Sequence, residues 1–216
     1  MEIIIISSAL LISAVLNILF QREFIKRNIL DKINSRSSHQ SIATRSGGSS
    51  IFASLLFISI FFYLNNNEIY DFSLLIPLSI MLVVGLYDDI YKLDFTLKFI
   101  FQIIVAKIII DNGLIIDNLH GIFGVFELSR ILGQLFTMFI IVAIINSINF
   151  IDGIDGLAIS VITLFLLSFE LFSATSSDMF FLTVIILGSV MPLYFFNFRR
   201  KNKVFLGDSG SLLLGT

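Results

Sequence analysis

Ile131-Leu-Gly-Gln-Leu-Phe-Thr-Met-Phe-Ile-Ile-Val-Ala-Ile-Ile-Asn146-Ser-Ile-Asn149-Phe-Ile151 runs without a charged side chain and ends on Asp152-Gly-Ile-Asp155-Gly156. A helix needs about 20 apolar residues to cross a bilayer core, so this stretch is long enough to span. It also delivers two amides and two carboxylates to one end of the crossing. Further uncharged runs lie at Ile3–Phe20, Ser46–Asn67, Phe72–Tyr87, Gly156–Phe169 and Met179–Phe198. Gly156–Phe169 is short and needs its neighbours in order to span. Phe95–Ile110 is one more candidate, with Lys107 near one end, where a long side chain snorkels to the interface. Another apolar run opens at Ser211-Leu212.

The composition agrees with this reading. Of 216 residues, 56% are hydrophobic and only 14% charged, whereas a soluble domain carries about a quarter charged residues. The expected fold is an all-α polytopic membrane protein, a single transmembrane domain over 1–216, with about seven transmembrane helices and the start of an eighth. The first apolar run lacks a small-residue cleavage site after it and reads as a retained span. There is no Cys, hence no disulfide, thiolate metal site or thiol nucleophile.

Of the 14 Lys and Arg residues, all but Lys107 and Arg130 fall in three loops: Arg22 to Arg45, Lys92 to Lys98, and Arg199 to Lys203. The alternate loops Asn65–Asp71 and Glu170–Asp178 have none. The positive-inside rule places the basic loops in the cytoplasm and the N-terminus outside. Asp111–Arg130, with Gly113, Gly121 and Gly124, is the longest outside segment, and a hairpin at the interface is one form open to it.

Four segments then share the cytoplasmic face. Asp88-Asp89 closes the third span, ahead of Lys92 and Lys98, and reads either as a functional pair at a membrane boundary or as a solvated helix cap. Asn146, Asn149, Asp152 and Asp155 recur every three residues, so neighbours lie 60° apart on a helix and the full set does not share one face. Gly153 and Gly156 break the helix and let the last carboxylates turn back. Such oxygen-only groups suit a hard cation such as Mg²⁺. Phe205-Leu-Gly207-Asp208-Ser209-Gly210-Ser211 opens the eighth span, where free amides attract phosphate. A carboxylate there would repel phosphate unless a metal lies between, which points to Asp208 as a metal ligand; an N-cap that simply opens a helix is the other reading. The first loop carries Arg36, His39 and Thr44-Arg45 before Gly47-Gly48, either an anion-binding loop or a positive-inside anchor. His120 is assigned no role.

These residues resemble the polyprenyl-phosphate N-acetylhexosamine-1-phosphate transferases. The likeness rests on Asp88-Asp89 with Lys98 and Gln102, on Asn146-x-x-Asn149-x-x-Asp152-Gly-Ile-Asp155-Gly-Leu-Ala158, and on Gly207-Asp208-Ser-Gly-Ser211. Arg36-Ser-Ser-His39 with Thr44-Arg45-x-Gly47-Gly48 resembles the O-antigen-type branch. The first loop lacks the prolines usual around that Thr-Arg. Family members also continue for several spans past the Gly-Asp-x-Gly-Ser segment, with a His-rich loop, so this chain looks like a C-terminally truncated member.

The resemblance implies transfer of a sugar 1-phosphate from a UDP-N-acetyl sugar to undecaprenyl phosphate, with release of UMP, at the inner membrane of a bacterial cell. The implied partners are those two substrates and the lipid bilayer, with no nucleic acid and with a homodimer as a further expectation. The implied cofactor is Mg²⁺, or Mn²⁺ in its place, held by Asp208 and Asn149. Asp88, Asp89, Asp152 and Asp155 take the catalytic roles. Arg36, His39, Lys92, Lys98, Asn146, Gly207 and Ser209 bind substrate. An ion-coupled transporter is the alternative from another class, but transporter sites sit mid-membrane on paired repeats, and no carboxylate here falls mid-span. An inactive membrane fragment of the transferase is the third reading.

Overall fold

The computed structural model describes residues 2–31, 43–172 and 179–216. Among them the chain forms eight α-helices: α1 Glu2–Lys26, α2 Gly47–Leu64, α3 Leu75–Tyr91, α4 Phe95–Asp111, α5 Arg130–Ile151, α6 Leu157–Phe172, α7 Phe180–Asn197 and α8 Gly207–Gly215. Five segments are long and apolar enough to cross a membrane: α1, α2, Phe72–Tyr91, α5 and α7. Helix α6 is apolar but shorter. The chain is thus an all-α membrane protein. Large side chains such as Ile3, Phe57, Val83, Phe139 and Phe165 point outward, as they do where the solvent is hydrocarbon.

One boundary differs from the sequence reading. The third span continues past Tyr87 to Tyr91, so Asp88 and Asp89 lie inside its last turn. Helix α8 begins at Gly207, within the segment expected to open the eighth span, and the carboxylate of Asp89 holds its first turn from outside. The break after α5 falls as expected, with Asp152 as its C-cap and Gly156 in the left-handed region (φ 74°) before α6.

Lipid supplies no hydrophobic drive between helices, so close approach and hydrogen bonds must hold them together. Helix α8 shows the first of these. It packs on α2, α3 and α5 through positions where a Cβ has no room. A Cβ on Gly85 would lie 2.4 Å from Ser209 Cα, and one on Gly48 2.3 Å from Gly210 N. Helices α1 and α7 show the second. They run in the same direction, Ser13 Oγ donating to Ser189 O (2.5 Å) and Gln21 Nε2 to Asn202 O (2.6 Å). Ser189 Oγ donates in turn to Ser54 Oγ (3.0 Å), and Ser54 Oγ to Ala9 O (3.1 Å). These bonds tie α1, α2 and α7 into one unit.

A two-residue parallel ladder stitches the first basic loop to the last. Strands β1 (Ala43–Thr44) and β2 (Lys203–Val204) pair Ala43 with Lys203 and Thr44 with Val204. The stitching continues from Phe205 N to Thr44 O (2.8 Å), Gly47 N to Phe205 O (3.0 Å) and Gly48 N to Leu206 O (3.0 Å). Arg45 and the start of α8 are thereby brought to the same place as the end of α3.

Candidate active site

Adjacent residues on a helix point about 100° apart, and Asp88 and Asp89 accordingly serve different neighbours. Asp89 faces α8. Its Oδ1 and Oδ2 accept the backbone N–H groups of Asp208 and Ser209, each at 3.0 Å, and Arg45 Nη1 lies 3.4 Å from Oδ1. The Asp89 side chain is only 1% exposed. Asp89 therefore caps a helix that is distant in sequence, and the amides expected to await a phosphate are already taken. Gly207 makes this possible, being left-handed (φ 75°), with Asp89 Oδ2 only 2.8 Å from where a Cβ would stand.

Asp88 faces α4. Lys98 Nζ lies 2.7 Å from its Oδ2, and Leu93 N donates to Oδ1 at 2.7 Å. Asp94, as N-cap, fixes the start of α4 by accepting from Thr96 N (3.0 Å), and this sets Lys98 one turn in. Lys98 also reaches toward Asp208, with Nζ 3.9 Å from Oδ2.

Asp208 is the common neighbour. Asn149 Nδ2 donates to its Oδ1 at 2.6 Å and to Ser211 Oγ at 2.8 Å, while Arg45 Nη1 stands 4.0 Å from Oδ2. Asn149 thus presents its amide nitrogen to Asp208 and orients that carboxylate. Asp152 lies beyond the end of α5. Burial, with Asp208 and Asp89 adding to it, pushes its carboxyl up to about 8, against the pull of Arg45 and of the Gly207 amide.

The remaining expected residues are placed differently. Asn146 exchanges hydrogen bonds with Gln102 of α4 (2.7 and 3.4 Å) and donates to Val142 O (2.8 Å), an amide pair that joins α4 to α5. Asp155 pairs with Lys203 of β2, and its other oxygen is buried without a hydrogen-bond partner among the described residues. Ser209 is buried and enters the site through its amide. Lys92 is exposed at the C-cap of α3, its backbone left-handed (φ 61°). Arg36 and His39 lie outside the described residues. The sequence reading took Arg45 only as part of an anion-binding or anchoring loop, whereas it bonds Asp31 (2.9 Å) as well as Asp89, and it counted Lys203 only as a basic anchor. The signal for Arg45 was its place directly before Ser46-Gly47-Gly48, where the backbone must pass close to another segment.

The charges decide what this arrangement can hold. Asp88, Asp89, Asp152 and Asp208 face two cations, Arg45 and Lys98. The carboxyl groups here outnumber the cations. Among the described residues no three His, Cys, Asp or Glu side chains form a ready cluster.

The fold and this cluster define a polytopic membrane protein with a carboxylate-rich polar site at one end of its bundle. The chain belongs to glycosyl transferase family 4, whose model matches residues 71–216. It is 33% identical over 96% of its length to a probable undecaprenyl-phosphate N-acetylglucosaminyl 1-phosphate transferase of Bacillus subtilis. It is 34% identical over 94% of its length to the undecaprenyl-phosphate alpha-N-acetylglucosaminyl 1-phosphate transferase of Pasteurella multocida, and 30% over 96% to the protein of that name from Salmonella typhi. The chain spans 58%, 59% and 58% of those three relatives.

Proposed function

We propose that this chain forms the catalytic face of an enzyme that moves N-acetylglucosamine 1-phosphate, or a related N-acetylated sugar phosphate, from its UDP donor onto undecaprenyl phosphate. A lipid phosphate oxygen attacks the β-phosphorus of the donor. The bond from that phosphorus to the bridging oxygen breaks, and UMP leaves with the electron pair. Such transfers depend on positioning and charge neutralisation more than on covalent help.

The observation that carries this reading is the surplus of carboxylates over cations where α3, α5 and α8 meet. Asp208 and Asp152 would hold a Mg²⁺ ion, which when bound supplies charge neutralisation to the donor diphosphate. Asn149 keeps Asp208 turned to that position. Asp88, braced by Lys98, faces the acceptor phosphate and takes up its proton if it arrives protonated. Asp89 and Arg45 hold α8 in place. Asp155 and Lys203 form the nucleotide side, and Arg36, His39 and Lys92 balance phosphate charge from the loops.

Asp208→Asn should lower lipid-dependent UMP release by at least about 10²-fold while leaving membrane insertion unchanged. The measurement is UMP formed from UDP-N-acetylglucosamine, undecaprenyl phosphate and Mg²⁺ by the protein extended to its relatives' length. Undiminished turnover in the variant, or in excess chelator, overturns the metal assignment.

The same reading includes seven spans with the start of an eighth, the N-terminus outside and the site on the cytoplasmic face of a bacterial inner membrane. A protease or label added to intact spheroplasts should reach a tag at the N-terminus and not one inserted at Lys201–Lys203. Both tags on one side would refute this topology.

A further inference from the structure

Between α4 and α5, at the end of the bundle opposite the carboxylates, the chain builds a small hairpin. Leu128 N donates to Asp117 O (2.7 Å), Leu119 N to Phe126 O (2.7 Å) and Gly121 N to Val125 O (2.9 Å), with an antiparallel bridge between Asn118 and Glu127. Its root is fixed to α5. Ile116 N donates to Thr137 Oγ1 (2.9 Å), and Gly133 lets Ile116 O approach within 3.0 Å of its Cβ position. A movement of the hairpin is therefore a movement of α5.

The tip is apolar and turned outward. Ile122 is 59% exposed, Phe123 98% and Phe126 64%, and no charged residue occurs from Ile122 to Phe126. Phe123 adopts the left-handed region (φ 54°), which a bulky side chain rarely does. Gly124 N to Gly121 O (2.9 Å) and Val125 N to Ile122 O (3.0 Å) hold it there. The backbone thus accepts an unfavourable conformation that leaves an aromatic ring without protein contact. Polar residues Asp117, Asn118 and Glu127 lie at the base. The exposed apolar surface resumes on α5 with Ile131, Leu132 and Leu135, on the first turns of a membrane-crossing helix.

We infer that Ile122–Phe126 is an interfacial anchor, inserted among phospholipid acyl chains just below the headgroups at the end of the bundle away from the carboxylates. Continuity with the outward face of α5 selects lipid as the occupant. Interfacial anchors set the tilt and depth of the helix to which they are joined. Through Thr137 this one acts on α5, whose far end carries Asn149 and Asp152. Its role is to hold those groups at the level of a phosphate in the opposite leaflet.

The chain contains no Trp, so Phe123→Trp introduces a single fluorophore. In phosphatidylcholine–phosphatidylglycerol vesicles its emission should be blue-shifted, shielded from iodide, and quenched more by lipids brominated near the headgroup than by lipids brominated deep in the chain. Phe139→Trp, on the outward face of α5, gives the scale for a residue in lipid. Water-like, iodide-quenched emission overturns the inference. So does blue-shifted emission that brominated lipid leaves untouched, since a second copy or a further protein segment would then cover the tip.

Discussion

Asp89→Ala should lower the thermal midpoint of the detergent-purified protein by about 10 °C, corresponding to about 3–5 kcal/mol. The substitution removes a carboxylate that is 1% exposed and leaves the Asp208 and Ser209 amides and one face of Arg45 without their partner. Breaking a buried charged bond from one side is among the most destabilising single changes, because the remaining groups keep their desolvation cost. Asp89→Asn should lie between, since one amide oxygen can still accept while the charge facing Arg45 is gone. Asp88→Asn should melt within a few degrees of the parent, because the Asp88 amide oxygen can still accept from Leu93 N or Lys98. A midpoint for Asp89→Ala equal to that of Asp88→Asn would show that Asp89 does not latch α8.

Gly85→Val should separate α3 from α8 and abolish the proposed transfer. Even the Cβ of an alanine would fall 2.4 Å from Ser209 Cα and 2.5 Å from Asp208 O. Both are backbone atoms, so no rotamer change relieves the clash and the helices must part by about 1 Å or more. Overpacking costs roughly 1–3 kcal/mol in a core that can adjust, and more is expected against backbone. Asp208 would lose its 2.6 Å bond from Asn149, and displacements of about 1 Å at a reacting centre cost about 10²-fold in rate. Gly153→Ala is the control for folding. Nothing lies within 4 Å of its Cβ position and its backbone is not left-handed, so its melting should match the parent. Equal midpoints for Gly85→Val and Gly153→Ala would refute the close contact.

This contrast shows what the sequence could convey. Hydropathy located the apolar segments because burial in lipid is a property of each stretch by itself, and Asn149 and Asp208 stood out because polar groups at membrane level need partners. Asp88 and Asp89 could not be told apart, because their separate tasks depend on which helix passes each side of α3. Gly85 in an apolar run reads as a tolerated glycine until α8 is seen against it. The β1–β2 ladder was illegible for a similar reason: its strands have two residues each, and what gives them meaning is the pairing of Thr44 with Val204.

The parallel contact of α1 with α7 bears on how the protein is made. Ser13 and its partner Ser189 are 176 positions apart, so at about 5–20 residues per second the ribosome reaches Ser189 roughly 9–35 s after Ser13. For most of that interval the first helix is out of the ribosome without the neighbour that will cover its polar side. Asn17 carries its own interim solution, its Nδ2 bonded to Ser13 O (2.9 Å) within the same helix. Helix α1 can thus wait at the translocon or in lipid with its mid-helix Asn17 half satisfied. Maturation of the bundle is then timed by the emergence of α7, whose arrival brings the first-made and late-made parts of the chain together.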